Sequence, residues 1–197
     1  MLQLAQHPLA QPLLSRAQAQ GRALYACLVT NPSQRVAVRR QRAGQGAGGL
    51  VVWDYHVILL SGTLVLDLDT TLPFPAPTAE YLAAAFPPLP AGAEGLAPRF
   101  RLLPLADYAA HLASDRRHMA RQGRGHAAPL PQWAPPRGAA AASAHTLPEL
   151  LRVEDEGCGG PGRVLAGVAQ LWEALGGAAE ELQRAQAACR QPPQAAE

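Results

Sequence analysis

Residues 51–75 read VVWDYHVILLSGTLVLDLDTTLPFP, the most β-prone stretch of the chain. Two β-branched and aromatic runs, 51–60 and 63–69, flank a Ser61-Gly62 turn signal, which predicts a β-hairpin. With Ser61-Gly62 as a two-residue loop, Leu60 faces Thr63, Val57 faces Leu66 and His56 faces Asp67. Directly opposed residues have Cβ atoms roughly 4.5–5.5 Å apart, which suits a carboxylate accepting from an imidazole. A turn moved by one residue, to Gly62-Thr63, sets Asp69 opposite His56 instead. In either register the histidine has an acidic neighbour on its own face. Period-two alternation also groups Asp54 with His56, and Asp67 with Asp69.

A His–Asp pair on a sheet is two members of a nucleophilic triad: the base takes a proton, and the acid fixes its tautomer. The bland alternative is a structural hydrogen bond. Trp53, Asp54, Tyr55 and Asp69 crowd polar groups around the pair, which favours function. Asp67, Asp69 and His56 could also hold a divalent ion. Nothing else nearby has ligand spacing, so a solvated strand end is the preferred reading of Asp69.

The third member would be a nucleophile, and the cysteines are the residues to weigh for it. The cysteines are Cys27, Cys158 and Cys189, an odd and widely spaced set without CxxC, which argues against a disulfide framework or a zinc knuckle. Cys27 lies inside the apolar run LYACLVT, where a small buried residue is favoured over a reactive thiol. Cys158 sits in a glycine-rich loop and Cys189 in the tail, neither with a polarising neighbour. All 17 basic residues are arginine, and the net charge is +2. The arginines are scattered and not interleaved with aromatics, so nucleic acid is not expected as a partner. No apolar run is long enough to span a membrane, and the N-terminus lacks the basic start of a secretory signal.

Around the hairpin the pattern predicts a short helix within 9–20, a strand over 24–30, and its hairpin partner over 35–39. With the central hairpin these form a four-strand antiparallel meander. A glycine loop spans 44–49. A helix follows over 78–85, a strand over 100–103, and a helix from 104 to 111 or 112, capped by Asp107. Residues 114–119 (SDRRHM) close that helix, and 121–144 read as loop. Thr146 is a possible N-cap for a turn over 147–153, 162–175 reads as strand then helix, and 178–188 as a solvent-facing helix. The organisation is one domain over 1–177 and a tail over 178–197, helical at first and disordered from 190.

The strings WDYHVILL, DLDTTLPFP and FRLLPLADYAAHLASDRRHM occur in that order. Together they resemble the protein N-terminal glutamine amidohydrolases, whose pattern is WDYHV, then D-L-D-T-x-L-P-F-P, then F-R-V…Y…S-D-R-S-H-M. The likeness covers 24–119 and continues more thinly through Trp133, Pro135-Pro136, 147–151 and 162–175. The resemblance implies an α+β fold, a papain- or transglutaminase-like α-β-α sandwich with a mostly antiparallel central sheet. It implies a Cys–His–Asp triad that hydrolyses the side-chain amide of an N-terminal glutamine, giving glutamate and ammonia. Within it His56 and Asp67 are the catalytic base and its orienter. No metal or organic cofactor is implied. The implied partners are proteins or peptides with N-terminal Gln, met by a monomer in the cytoplasm (and the nucleus of a eukaryote) within an N-degron pathway.

One motif departs from the family. Its nucleophile lies in a C-x-C-E-E-N-like segment well upstream of the histidine, at a spacing that falls near Gln3 here. No cysteine stands there, and Cys27 aligns with the strand that follows the nucleophile helix. The SDRSHM motif reads Ser-Asp-Arg-Arg-His-Met. The expectation is therefore an amidohydrolase by descent, truncated or altered at its N-terminus and lacking its nucleophile. The alternative is an inactive relative that binds N-terminal peptides or serves as a scaffold, and a third reading recruits Cys27 as a substitute.

Overall fold

The computed structural model describes residues 11–46, 48–115, 120–121, 125–126, 134–155, 157 and 160–190. In chain order the elements are α1 (Gln11–Ala19), β1 (Leu24–Thr30), β2 (Val36–Val38), β3 (Val51–Trp53), β4 (His56–Ser61), β5 (Leu64–Leu66), β6 (Ala76–Pro77) and α2 (Thr78–Ala85). A 3-10 turn (Glu94–Leu96) precedes β7 (Arg99–Pro104) and α3 (Leu105–His111). Then come β8 (Ala120–Arg121), β9 (Gly125–His126), α4 (Leu147–Leu150), β10 (Arg163–Leu165), α5 (Val168–Ala174) and α6 (Ala179–Arg190).

The central sheet has six antiparallel strands in the order β10-β7-β1-β4-β5-β6. The last five residues of β1 are all buried, as a strand must be when both faces of its sheet are covered. One face carries Cys27, Val29, Ile58, Leu60, Val65, Phe100 and Leu102. It packs on Tyr81 and Leu82 of α2, Leu171 and Trp172 of α5, and Leu182 of α6. The opposite face carries Ala26, Leu28, Leu59, Leu66 and Leu103. It packs on Leu14 of α1, Tyr108 of α3, and Leu147 and Leu150 of α4. The class is thus α+β, with helices on both sides of an antiparallel sheet.

Three expectations change. First, β2 does not pair with β1; it pairs with β3 in a separate two-stranded sheet, Val36 opposite Trp53. Both edges of β1 are occupied, by β4 and β7. Buried Asn31 diverts the chain after β1: its Oδ1 accepts from the Ser33 and Arg35 N–H groups, and its Nδ2 donates to the Arg35, Gly95 and Ala97 carbonyls. The four-strand meander is replaced by the six-strand order. Second, the run 51–60 is two strands. It breaks at Asp54-Tyr55, where Asp54 Oδ1 accepts the Tyr55 N–H and Thr30 Oγ1 donates to the Asp54 carbonyl at 2.7 Å.

Third, of the two hairpin registers expected, the structure has the second, with its turn at Gly62-Thr63 and Ser61 opposite Leu64, Leu60 opposite Val65 and Leu59 opposite Leu66. Gly62 has φ +58. A two-residue hairpin loop with positive φ at its first central position favours glycine there, and the Ser61-Gly62 alternative puts serine in that place. Val57 therefore does not face Leu66, and His56 and Asp67 are not directly opposed.

Smaller differences have local causes. Pro104, not Asp107, is the N-cap of α3. Thr146 occupies the N-cap of α4, but its hydroxyl accepts from the Ala113 N–H and donates to the His111 carbonyl instead of capping. Ala120–Arg121 pairs with Gly125–His126 within the expected loop. Helix α6 buries Leu182 against α2 and so is not wholly solvent-facing. Of the expected disordered end, Arg190 is the last residue of α6, and 191–197 lie outside the described residues.

Leu28 is fully buried, while Leu50 is an exposed apolar residue. We expect Leu28→Ala to lose about 2–5 kcal/mol in urea unfolding and Leu50→Ala to change by no more than about 0.5 kcal/mol.

Candidate active site

His56 opens β4 and Asp67 follows the last residue of β5. In the observed register Asp67 continues opposite Ile58, so His56 lies diagonally from it on the same face of the sheet. Diagonal pairs sit roughly 7–8 Å apart at the backbone, within reach of long side chains. The imidazole closes the gap: His56 Nε2 is 3.0 Å from Asp67 Oδ1. His56 is 6% exposed and Asp67 1%.

The carboxylate is saturated. Asp67 Oδ1 also accepts the Asp69 N–H at 2.9 Å. Asp67 Oδ2 accepts from Gln41 Nε2 at 3.1 Å and from the Tyr81 hydroxyl at 2.8 Å. Two of these partners, the Asp69 N–H and the Gln41 amide nitrogen, can only donate at the atoms in contact, and an ionised carboxylate offers about four lone-pair sites, enough to accept from all four. The network therefore assigns an ionised Asp67 and a proton on His56 Nε2. Burial works to raise the Asp67 pKa, but the His56, Gln41 and Tyr81 hydrogen bonds and the imidazole's charge outweigh it, and the net shift is downward. Tyr81 stays a neutral donor: burial and then the Asp67 charge push its phenol well above the ordinary range.

With Nε2 committed to Asp67, Nδ1 is the nitrogen left for chemistry, and it has no hydrogen-bond partner among the described residues. Trp53 covers one face of the ring, with centroids 5.4 Å apart and planes at 16°. Its Nε1 donates to Gln41 Oε1 at 3.3 Å. A neutral imidazole held this way can accept a proton at Nδ1 and return it, while the buried carboxylate stabilises the cation between those steps.

Asp69 is exposed, and its carboxylate lies within 4.8 Å of ligand atoms on His56 and Asp67. Among the described residues these three form a group that could contact a divalent ion. The four hydrogen bonds on Asp67 already occupy its oxygens, so the geometry is that of a hydrogen-bonded dyad with a solvated carboxylate beside it. Asp54, the other carboxylate singled out, is exposed and bonds the next residue's N–H.

The cysteines divide. Cys27 shares the His56 face of the sheet, since Val29 pairs with His56 and Cys27 with Ile58. Its thiol is nevertheless sealed in the core at 0% exposure, and burial pushes its pKa far up. A thiol there is neither ionised nor reachable, so Cys27 is a core residue and not a substitute nucleophile. Cys189 is exposed at the end of α6, lining a groove with Arg40, Thr78 and Trp172 that includes neither His56 nor Asp67. Cys158 lies outside the described residues. Of the SDRRHM segment, Ser114 is buried and Asp115 lies 3.5 Å from His145 Nδ1; 116–119 are outside the described residues.

Two members of the network escaped the sequence reading. Tyr81 sits on the buried face of α2, where an aromatic reads as core. Gln41 stands between arginines with nothing in its neighbours to mark it.

Comparison with known proteins gives a consistent family. The sequence model of the family described as N-terminal glutamine amidase matches residues 6–172. The protein N-terminal glutamine amidohydrolases of Drosophila erecta and Drosophila melanogaster are each 40% identical over 122 residues, covering 56% of this chain and 57% of the relative. That of Drosophila virilis is 38% identical over the same length. The chain thus matches a little over half the length of these curated relatives.

Two outcomes follow from the electrostatics. A carboxylate with a depressed folded pKa contributes stability above its unfolded value, and this is lost as pH falls through the folded one. At neutral pH Asp67→Asn should lose about 3 kcal/mol. That deficit should narrow below about pH 3.9, as measured by denaturant midpoints across pH. Iodoacetamide at neutral pH, read by peptide mass mapping, should label Cys189 in the native protein and Cys27 only after unfolding.

Proposed function

The chain belongs to the N-terminal glutamine amidase family, and from that premise we propose that it carries the base-and-orienter half of a protein N-terminal glutamine amidohydrolase. The observation that supports this reading most directly is the saturated Asp67 bonded to His56 Nε2, which leaves Nδ1 for proton transfer. In the reaction, His56 Nδ1 takes the proton of a thiol, and the thiolate attacks the side-chain carboxamide carbon of an N-terminal glutamine. The C–N bond breaks as His56 returns the proton to the departing nitrogen, and ammonia leaves. Water then attacks the thioester, His56 again moves the proton, and glutamate and free thiol result. Asp67 keeps the ring in register and balances its transient charge.

The layers of helices on both faces of the sheet fit a papain- or transglutaminase-like sandwich. The partners in this reading are proteins and peptides beginning with glutamine. The setting is a monomer in the cytoplasm or nucleus that generates substrates for an N-degron pathway, without a metal or organic cofactor. No helix among the described residues is long and apolar enough to cross a membrane.

A second reading rests on the cysteines. Cys27 is sealed and Cys189 lies in a groove apart from the dyad, so no thiol among the described residues is placed to serve His56. In that reading the chain is a catalytically inactive relative that binds N-terminal peptides.

One experiment separates the two. The polypeptide is incubated with a short Gln-initiated peptide, ammonia is assayed, and binding is followed by calorimetry. Binding without ammonia release supports the inactive relative. Release that falls by about 100- to 10,000-fold in His56→Ala, and persists in Cys27→Ala, supports the enzyme. Cys158→Ala and Cys189→Ala then locate its thiol. A chain that neither binds nor deamidates the peptide overturns both readings.

A further inference from the structure

The hydrogen bonds and the ring stack around His56 close on themselves. His56 Nε2 bonds Asp67 Oδ1, Asp67 Oδ2 accepts from Gln41 Nε2, Gln41 Oε1 accepts from Trp53 Nε1, and Trp53 stacks on His56. We propose that Gln41 is a positioning residue that couples the indole of Trp53 to the carboxylate of Asp67, so that ring plane and carboxylate rotamer are fixed as one unit. The inference takes the dyad's catalytic role from the proposed function, but the coupling is a property of the folded chain alone.

Gln41 is built for this task. It is 1% exposed, and both ends of its amide are used. A glutamine amide supplies a donor and an acceptor on one planar group without titrating, whereas an ionised carboxylate only accepts and an ammonium only donates. Its backbone is held on two sides. The Gln41 N–H donates to the Gly49 carbonyl at 2.9 Å, and Gln41 bridges Thr70, three residues beyond Asp67. Gly49 has φ +53, and a Cβ there would lie 2.8 Å from the Gln41 carbonyl oxygen. The glycine loop is thus the clamp that seats Gln41 beside the loop carrying Asp67.

Each component of the ring limits a different freedom. The Asp67 bond fixes where Nε2 points. The indole limits tilt of the imidazole about that bond. Trp53, held by Gln41, cannot slide without stretching the amide bond to Asp67. Tyr81 is a useful contrast: it donates to the same Asp67 oxygen but makes no contact with Trp53 in this network.

The test is a double-mutant cycle read on the His56 Nε2–H proton by NMR, with no substrate present. Gln41→Leu and Trp53→Phe each open the ring, and Phe keeps an aromatic face over His56. Each should speed solvent exchange of that proton roughly tenfold, the order of effect expected when one hydrogen bond of a closed ring is lost. The double variant should exchange within about twofold of Gln41→Leu alone, because the ring opens only once. Tyr81→Phe combined with Trp53→Phe should multiply the single effects. If Gln41→Leu does not fold, Gln41→Asn takes its place, since its shorter side chain cannot span both partners. Multiplicative effects of the Gln41 and Trp53 changes would overturn the coupling, and so would unchanged exchange in both singles. Failure of peptide binding or deamidation would sink the proposed function and leave this readout untouched.

Discussion

The structure depends on one buried negative charge. Asp67 sits at 1% exposure, where an unsatisfied carboxylate would be strongly destabilising. It is tolerated because four donors converge on it from separate places in the chain. They come from His56 on β4, Asp69 in the following loop, Gln41 ahead of the glycine loop, and Tyr81 on α2. The charge therefore ties the ends of β4 and β5 in the central sheet, the two-stranded sheet through Trp53, and the covering helix to one point. The same arrangement commits His56 Nε2 and leaves Nδ1 for chemistry.

The sequence carried the components of this site more securely than their arrangement. Period-two alternation placed His56 and Asp67 on one face, and that survived a turn displaced by one residue, because a diagonal contact spans the same face as a direct one. The displacement came from the conformational demand of Gly62, which a count of loop residues does not weigh. Strand order was harder to read. RVAVR alternates as well as any partner of β1, yet β7, far along the chain, takes that edge, and Asn31 turns the intervening segment away. Asn31 acts through carbonyls of Gly95 and Ala97 that only the folded chain brings near. Gln41 was illegible for the same reason, since its role is set by two partners that are distant in sequence.

Cys27 shows how a shared sheet face can mislead. It lies diagonally from His56 across β1 and β4, in the relation that joins His56 to Asp67. Side chain and surroundings decide the difference. An imidazole is long enough to cross the diagonal, whereas a thiol ends one bond past Cβ, in contact with the apolar layer formed with α2. Burial then suppresses the thiolate that nucleophilic attack requires. Proximity in register is thus not sufficient for chemistry; ionisation and access must also be met.

The dyad's integrity and the chain's turnover are separate questions, because the residues that orient the base also hold the fold. Removing the Asp67 side-chain oxygens would strand the Tyr81 hydroxyl, the Gln41 amide and the His56 N–H in a buried setting, each without its acceptor. A chain that had lost its thiol would still need Asp67, and with it the imidazole that shares its lone pairs. A well-formed His56–Asp67 pair therefore reports how the fold is held together and is not by itself a sign of turnover. In the proposed reaction, turnover requires a thiol with access to Nδ1, a requirement that neither the sealed Cys27 nor the peripheral Cys189 meets.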